Sequence, residues 1–173
     1  MCCRVVGAVF VFGGGVAIGI TLAIRYRKRV FELCQLEHSL TFISGELKYR
    51  HLILADVFGQ AAKHCGQVFA QWFIALEHAL RKSNASSVRE IWFSSLQQLS
   101  KSSHLRSSDL LILDSLGGTL GVVDLDTQIN ELAIVTKQLH DIREKAEHEL
   151  AGRMKLVITL CSVIALLLII LLF

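Results

Sequence analysis

Residues Val5–Ile24 read VVGAVFVFGGGVAIGITLAI, and Leu156–Phe173 read LVITLCSVIALLLIILLF. Neither run holds a charge, and between them lie all 15 Asp and Glu and every Lys and Arg except Arg4. At about 1.5 Å rise per residue, each run makes a helix of roughly 27–30 Å, close to one hydrocarbon core. The chain therefore reads as two transmembrane helices, 5–24 and 156–173, enclosing a polar segment, 25–155. Arg25, Arg27, Lys28 and Arg29 follow the first run directly, and Arg153 and Lys155 precede the second. Basic flanks stay on the cytoplasmic side, which predicts a cytoplasmic middle and both chain ends on the far side. A cleaved signal peptide is the competing reading of the N-terminus. It is disfavoured because a basic cluster after the apolar run opposes translocation, and the run exceeds the usual signal-peptide core.

The middle segment is long enough for one domain and short for two. With 18 basic and 15 acidic residues in the whole chain, it is too balanced for nucleic-acid binding, which calls for a basic face or stripe. The basic collar at 25–29 is read as a topology signal with some attraction to anionic lipid headgroups. Cys34 and Cys65 read as reduced, buried apolar residues. Cys2 and Cys3 precede rather than follow the apolar run, so a lipoprotein cleavage site does not fit. The chain contains no proline, which favours long helices with few enforced breaks. An all-α protein is expected, a cytoplasmic bundle of about six helices carried by N-terminal and C-terminal transmembrane helices.

Leu33, Leu36, Leu40, Ile43 and Leu47 recur at the spacing of a coiled-coil seam, predicting a helix that continues from the first span to at least Tyr49. Ile129, Leu132, Val135, Leu139, Ile142, Ala146 and Leu150 repeat that spacing and lead into the second span. Two such helices should pack as an antiparallel stalk. Between them, shorter helices are predicted over 54–65, with a break at Gly66, and over 67–82. Ser87 with Glu90 has the form of a capping box and starts a helix that buries Ile91, Trp92, Leu96 and Leu99. Ser108 is the expected cap of another, with Leu110, Leu111, Leu113 and Leu116 inside.

Leu116-Gly117-Gly118-Thr119-Leu120-Gly121 followed by Asp124 and Gln128 is the most specific local feature. On a helix, Gly117 and Gly121 share a face and admit a neighbouring backbone. Equally, Gly121 can take a positive φ as a cap, with Asp124 capping the final helix. A phosphate loop would need a preceding strand and a Lys-Ser/Thr pair, and neither is present. Gly15, Gly19 and Ala23 form a small-xxx-small stripe suited to close packing of membrane helices. The seven histidines show no metal-ligand spacing. No nucleophile, phosphoryl-transfer or zinc-hydrolase motif appears. No catalytic, cofactor or metal residues are assigned.

Taken together, Gly7 and Ala8 in the first span, then Leu40, Ile43, Glu46, Leu47 and Tyr49, then Leu116, Gly117, Leu120, Gly121, Asp124 and Gln128, and last Met154 and Lys155 before a Leu/Ile-rich tail, resemble the stage III sporulation protein AB family of endospore-forming bacteria. The match runs over the whole chain. It departs where family members carry Thr-Pro-Leu, here Leu52, Ile53 and Leu54, which leaves the end of the first helix open, and in the final span, which lacks the family's glycines. The resemblance implies a non-enzymatic part of the sporulation channel, a secretion-like apparatus in the outer forespore membrane. The bundle would sit in the mother-cell cytoplasm, with the chain ends toward the intermembrane space. It also implies similarity to platform domains of type II secretion and type IV pilus systems. The implied partners are a cytoplasmic ATPase, the stage III sporulation protein AA, other channel membrane subunits and the lipid bilayer, with assembly into a homo-oligomer left open. A generic membrane-anchored scaffold or tether is the alternative, and an enzyme using His140 and Asp141 is a weaker one, since adjacent helical residues diverge.

Overall fold

The computed structural model describes residues 2–50, 52–82, 87–121 and 124–172, with side chains described mainly between 21 and 152. The expectation of an all-α protein holds. Six helices follow one another, α1 (Cys2–Arg50), α2 (Leu54–Ala61), α3 (Gln67–Lys82), α4 (Val88–Ser102), α5 (Ser107–Leu116) and α6 (Leu125–Leu172), with no strand among the described residues. The chain forms two compact units. One comprises Arg29–Glu144; the other comprises Met1–Lys28 with Lys145–Phe173.

In the unit Arg29–Glu144, the predicted α1 seam is the spine of the core. Leu33, Leu36, Leu40, Ile43 and Leu47 are all buried, as are Leu132, Val135 and Leu139 of α6. Each fully buried aliphatic side chain contributes about 1.5–3 kcal/mol relative to exposure. The helices α2, α3, α4 and α5 pack each on the next around five rings. Phe58 stacks on Phe73 and on Trp92 at 5.8 and 6.0 Å, Trp72 lies 5.3 Å from Trp92, and Phe69 meets Trp72 edge-on. Arg81 ties α3 back to α2 through Asp56, and bonds Glu77 one turn away.

Some boundaries fall where expected, the end of α1 beyond Tyr49 among them, and others differ. The first helix ends at Arg50, and Ile53 is extended (φ −64°, ψ 141°) before α2. Helix α2 stops at Ala61 rather than Cys65, because the amides of Lys63 and His64 turn to the carbonyls three residues back. Gly66 follows without a Cβ because the Gln35 side chain of α1 fills that space. Ser87 caps α4 as predicted, its Oγ accepting from the Glu90 amide at 3.2 Å. The cap of α5 is not Ser108. The helix starts after Arg106, whose amide donates to the Asp109 carboxylate at 2.9 Å. Of the four leucines expected inside α5, Leu113 and Leu116 are buried, Leu110 is half-buried and Leu111 is exposed. Cys34 and Cys65 are free thiols, half-buried rather than buried.

In the other unit, the backbone of both apolar runs is helical. Among the described residues no helix is long and apolar enough to cross a membrane. Most side chains of 5–24 and 156–173 lie outside the described residues, and so do the surroundings of Gly15 and Gly19. Ala23 is half-buried, and Ile24, Leu156 and Val163 are exposed.

Candidate functional site

Residues 116–121 leave α5 and turn, and Asp124 precedes the start of α6; residues 122 and 123 lie outside the described residues. Gly117 closes α5, its amide bonded to the Asp114 carbonyl, and the Leu120 amide returns to the Leu116 carbonyl. Gly121 has φ +75°, in the left-handed region that favours glycine. Residues 117–121 are thus a turn and not a helix, so Gly117 and Gly121 do not share a helical face. They still meet one element. A Cβ on Gly117 would lie 2.7 Å from Trp92 Cδ1, and one on Gly121 would lie 3.1 Å from Val88 Cγ2. Val88 and Trp92 are one turn apart on α4, and the Trp92 indole donates to the Leu113 carbonyl at 2.8 Å. The two glycines let the turn lie down on α4, with Leu116 and Leu120 buried beneath it.

Asp124 then caps α6. Its carboxylate accepts from the Thr127 amide at 3.1 Å and the Thr127 hydroxyl at 2.9 Å. Those two bonds hold its carboxyl below the usual range. Gln128 is half-buried in the first turn of α6. The motif thus falls in two described parts, a glycine turn at 117–121 lying on α4 and the Asp124 cap of α6.

Two polar clusters were not foreseen. Asp109 is fully buried. It receives both Nε and NH2 of Arg29 at 2.9 and 2.8 Å, the Arg106 amide, and the Ser108 hydroxyl. Arg29, read as part of a lipid-facing collar, is instead buried in this pair, whereas Arg25, Arg27 and Lys28 are exposed. A signal existed: Arg29 lies four residues before Leu33 and so continues the buried seam. One turn along, Glu32 bridges to His104, accepting from its amide at 2.6 Å and meeting Nδ1 at 2.7 Å. These contacts fix the α4–α5 connection against α1.

The second cluster joins α1 to α6. Glu37 meets His140 Nδ1 at 2.9 Å and accepts from Arg143 Nε at 2.9 Å. Partial burial pushes the Glu37 carboxyl up, but the bonds and charges of His140 and Arg143 outweigh this and hold it below its ordinary value. His140 therefore pairs across helices and not with Asp141. Burial pushes the Cys65 thiol up, with Ser39 opposing in part, so it stays protonated at neutral pH. Among the described residues no group of three or more His, Cys, Asp or Glu is placed to hold a metal ion.

Comparisons with known proteins agree with one another. A family model described as stage III sporulation protein AB matches residues 4–173. A curated protein of Bacillus subtilis (strain 168), "Stage III sporulation protein AB", is 28% identical over 169 residues, covering 98% of this chain and 98% of the relative. A solved structure with the same title is similar at a TM-score of 0.66 and 26% identity, covering 72% of this chain and 97% of the solved one.

Proposed function

The chain belongs to the stage III sporulation protein AB family, a sporulation protein family and not a known enzyme family, and from that premise we propose that it is a non-enzymatic platform subunit of the mother-cell sporulation channel. In this reading, 5–24 and 156–173 are membrane helices and 25–155 is a helical body in the mother-cell cytoplasm. The body holds the stage III sporulation protein AA ATPase and other channel subunits in register, and the chain ends face the intermembrane space. The observation that carries the reading is the extent of the match: it runs from residue 4 to residue 173, taking in both apolar ends and the body, and is not confined to one motif.

The Gly117–Gly121 turn and the Gly15, Gly19 and Ala23 stripe belong to this proposal as packing surfaces, the first within the body and the second toward a membrane helix. The Glu37–His140–Arg143 cluster supports a further part of it, that α1 and α6 act as a braced pair passing movement between body and membrane. Two glycines inserted after Lys137 turn the rest of α6 out of register and weaken its helix. Sporulation should then fail while the protein still accumulates in the membrane, and normal spore yield would discard the braced-pair idea.

The main reading is tested by deleting the gene in its host and by co-purifying the full-length chain with the ATPase from sporulating cells. Loss of spores, restored by the wild-type gene, together with recovery of the ATPase is expected. A deletion strain that sporulates normally overturns the role. Thiol labelling of a Ser100→Cys variant tests the topology: labelling from the far side of the membrane would place the body on the wrong face.

A further inference from the structure

Two turns of α1 carry an exposed stripe made of cations between apolar side chains. At about 100° per residue, Ile24, Arg27, Lys28 and Phe31 fall within an arc of about 100° on the helix. All four are exposed, Ile24 at 49% and Phe31 at 63%. The opposite face of the same turns points inward, with Arg29 and Leu33 buried. Of the basic residues that follow the apolar run, Arg29 is bonded to Asp109, whereas Arg25, Arg27 and Lys28 make no ion pair among the described residues. The first acidic residue of the chain is Glu32, which is buried and held by His104. No acid on α1 therefore neutralises the stripe.

A single exposed aromatic is ordinary on a protein surface, and here its position decides what it does. The run 5–24 that precedes the stripe is free of charge and as long as a hydrocarbon core is thick. Arg27 and Lys28 come about 5–6 Å beyond Ile24 along the axis, within a headgroup layer of about 5–8 Å. Phe31 starts about 10 Å beyond Ile24. Helical side chains lean toward the helix N-terminus, which is the side of the apolar run, so its ring reaches back toward that layer.

We propose that this stripe binds anionic phospholipid headgroups, Arg27 and Lys28 meeting the phosphates while Ile24 and Phe31 cover the apolar boundary on either side. The proposal rests on the reading of 5–24 as a membrane helix. Charge complementarity names the occupant: two cations with no acid beside them, directly after a run of bilayer length, suit a negatively charged membrane surface. The aliphatic stems of Arg and Lys lie along apolar surface while their charged ends reach the phosphates. Membrane helices tilt by about 20° on average, in a direction set by interfacial cations and aromatics. Helix α1 accordingly leans toward this stripe where it leaves the bilayer, which gives Phe31 its contact.

The test places the photoreactive residue benzoylphenylalanine at position 31, or at position 38, in the full-length chain in nanodiscs of mixed phosphatidylglycerol and phosphatidylcholine. His38 is exposed and one further pair of turns along the same stripe. Illumination should attach lipid at position 31 and none at position 38. Phosphatidylglycerol should exceed its molar share of the product by at least about threefold. The Arg27→Gln, Lys28→Gln double variant should bring the product back to the molar ratio, and its thermal melt should match the parent because both side chains are exposed. No lipid product at position 31, equal yields at 31 and 38, a ratio unmoved by the double variant, or a product in which position 31 is joined to a second copy of the chain overturns the proposal while leaving the membrane reading intact. A folded chain that elutes apart from the nanodiscs overturns both.

Discussion

Asp109 has no exposed surface, and both its oxygens are taken by Arg29, the Arg106 amide and the Ser108 hydroxyl. Removing either charged partner strands the other in a low-dielectric interior, which costs about 3–5 kcal/mol, whereas replacing both by apolar residues of similar volume is close to neutral or stabilising. Arg29→Met and Asp109→Leu should each lower the denaturation midpoint sharply, and the double variant should recover most of the loss. Gly117 makes a separate residue-scale prediction. A methyl there would press on Trp92 at 2.7 Å, while at Gly118 the nearest atom, the Ser115 carbonyl oxygen, is 3.7 Å away. Overpacking of that kind costs about 1–3 kcal/mol. Urea titration should show Gly117→Ala destabilised and Gly118→Ala nearly unchanged.

Among the elements, α1 and α4 were legible from sequence because their buried residues repeat at helical spacing and Ser87 marks a start. Helix α5 was misread because four leucines on ten residues overfill one face, and nothing local says that Leu111 belongs outside. Burial of Arg29 was readable from the α1 seam, but its pairing with Asp109 was not: the partners are 80 residues apart, and charge pairing at that separation leaves no periodic trace. The glycine segment kept two readings open, and tertiary packing on Val88 and Trp92 decided between them.

The break between α1 and α2 carries an element-scale prediction. Ile53 has φ −64°, is exposed, and its N–H donates no hydrogen bond among the described residues. Proline fits there without strain, so Ile53→Pro should stabilise by about 0.4–1 kcal/mol through the unfolded chain, seen as a raised midpoint. The link between α1 and α6 should depend on pH. Glu37 has a folded-state pKa below the ordinary glutamate value of 4.5. Its contribution is therefore complete above that value and is lost as pH falls through the lower, folded one. Glu37→Gln should be less stable than wild type at pH 7, and the gap should close on acidification below pH 4.5 in parallel denaturation curves.

At the scale of the molecule, the ring cluster binds three helices into one cooperative body: Phe58 from α2, Phe69, Trp72 and Phe73 from α3, and Trp92 from α4. Phe58→Ala should cost about 3–5 kcal/mol, and hydrogen exchange should accelerate across α2, α3 and α4 together rather than in α2 alone. The chain has two tryptophans, and both lie in this cluster, 5.3 Å apart. Its native emission is thus an optical reporter with a built-in filter: indole light follows the integrity of the helical body and is silent about the terminal helices, so denaturation can be followed in a lipid-reconstituted sample without any dye.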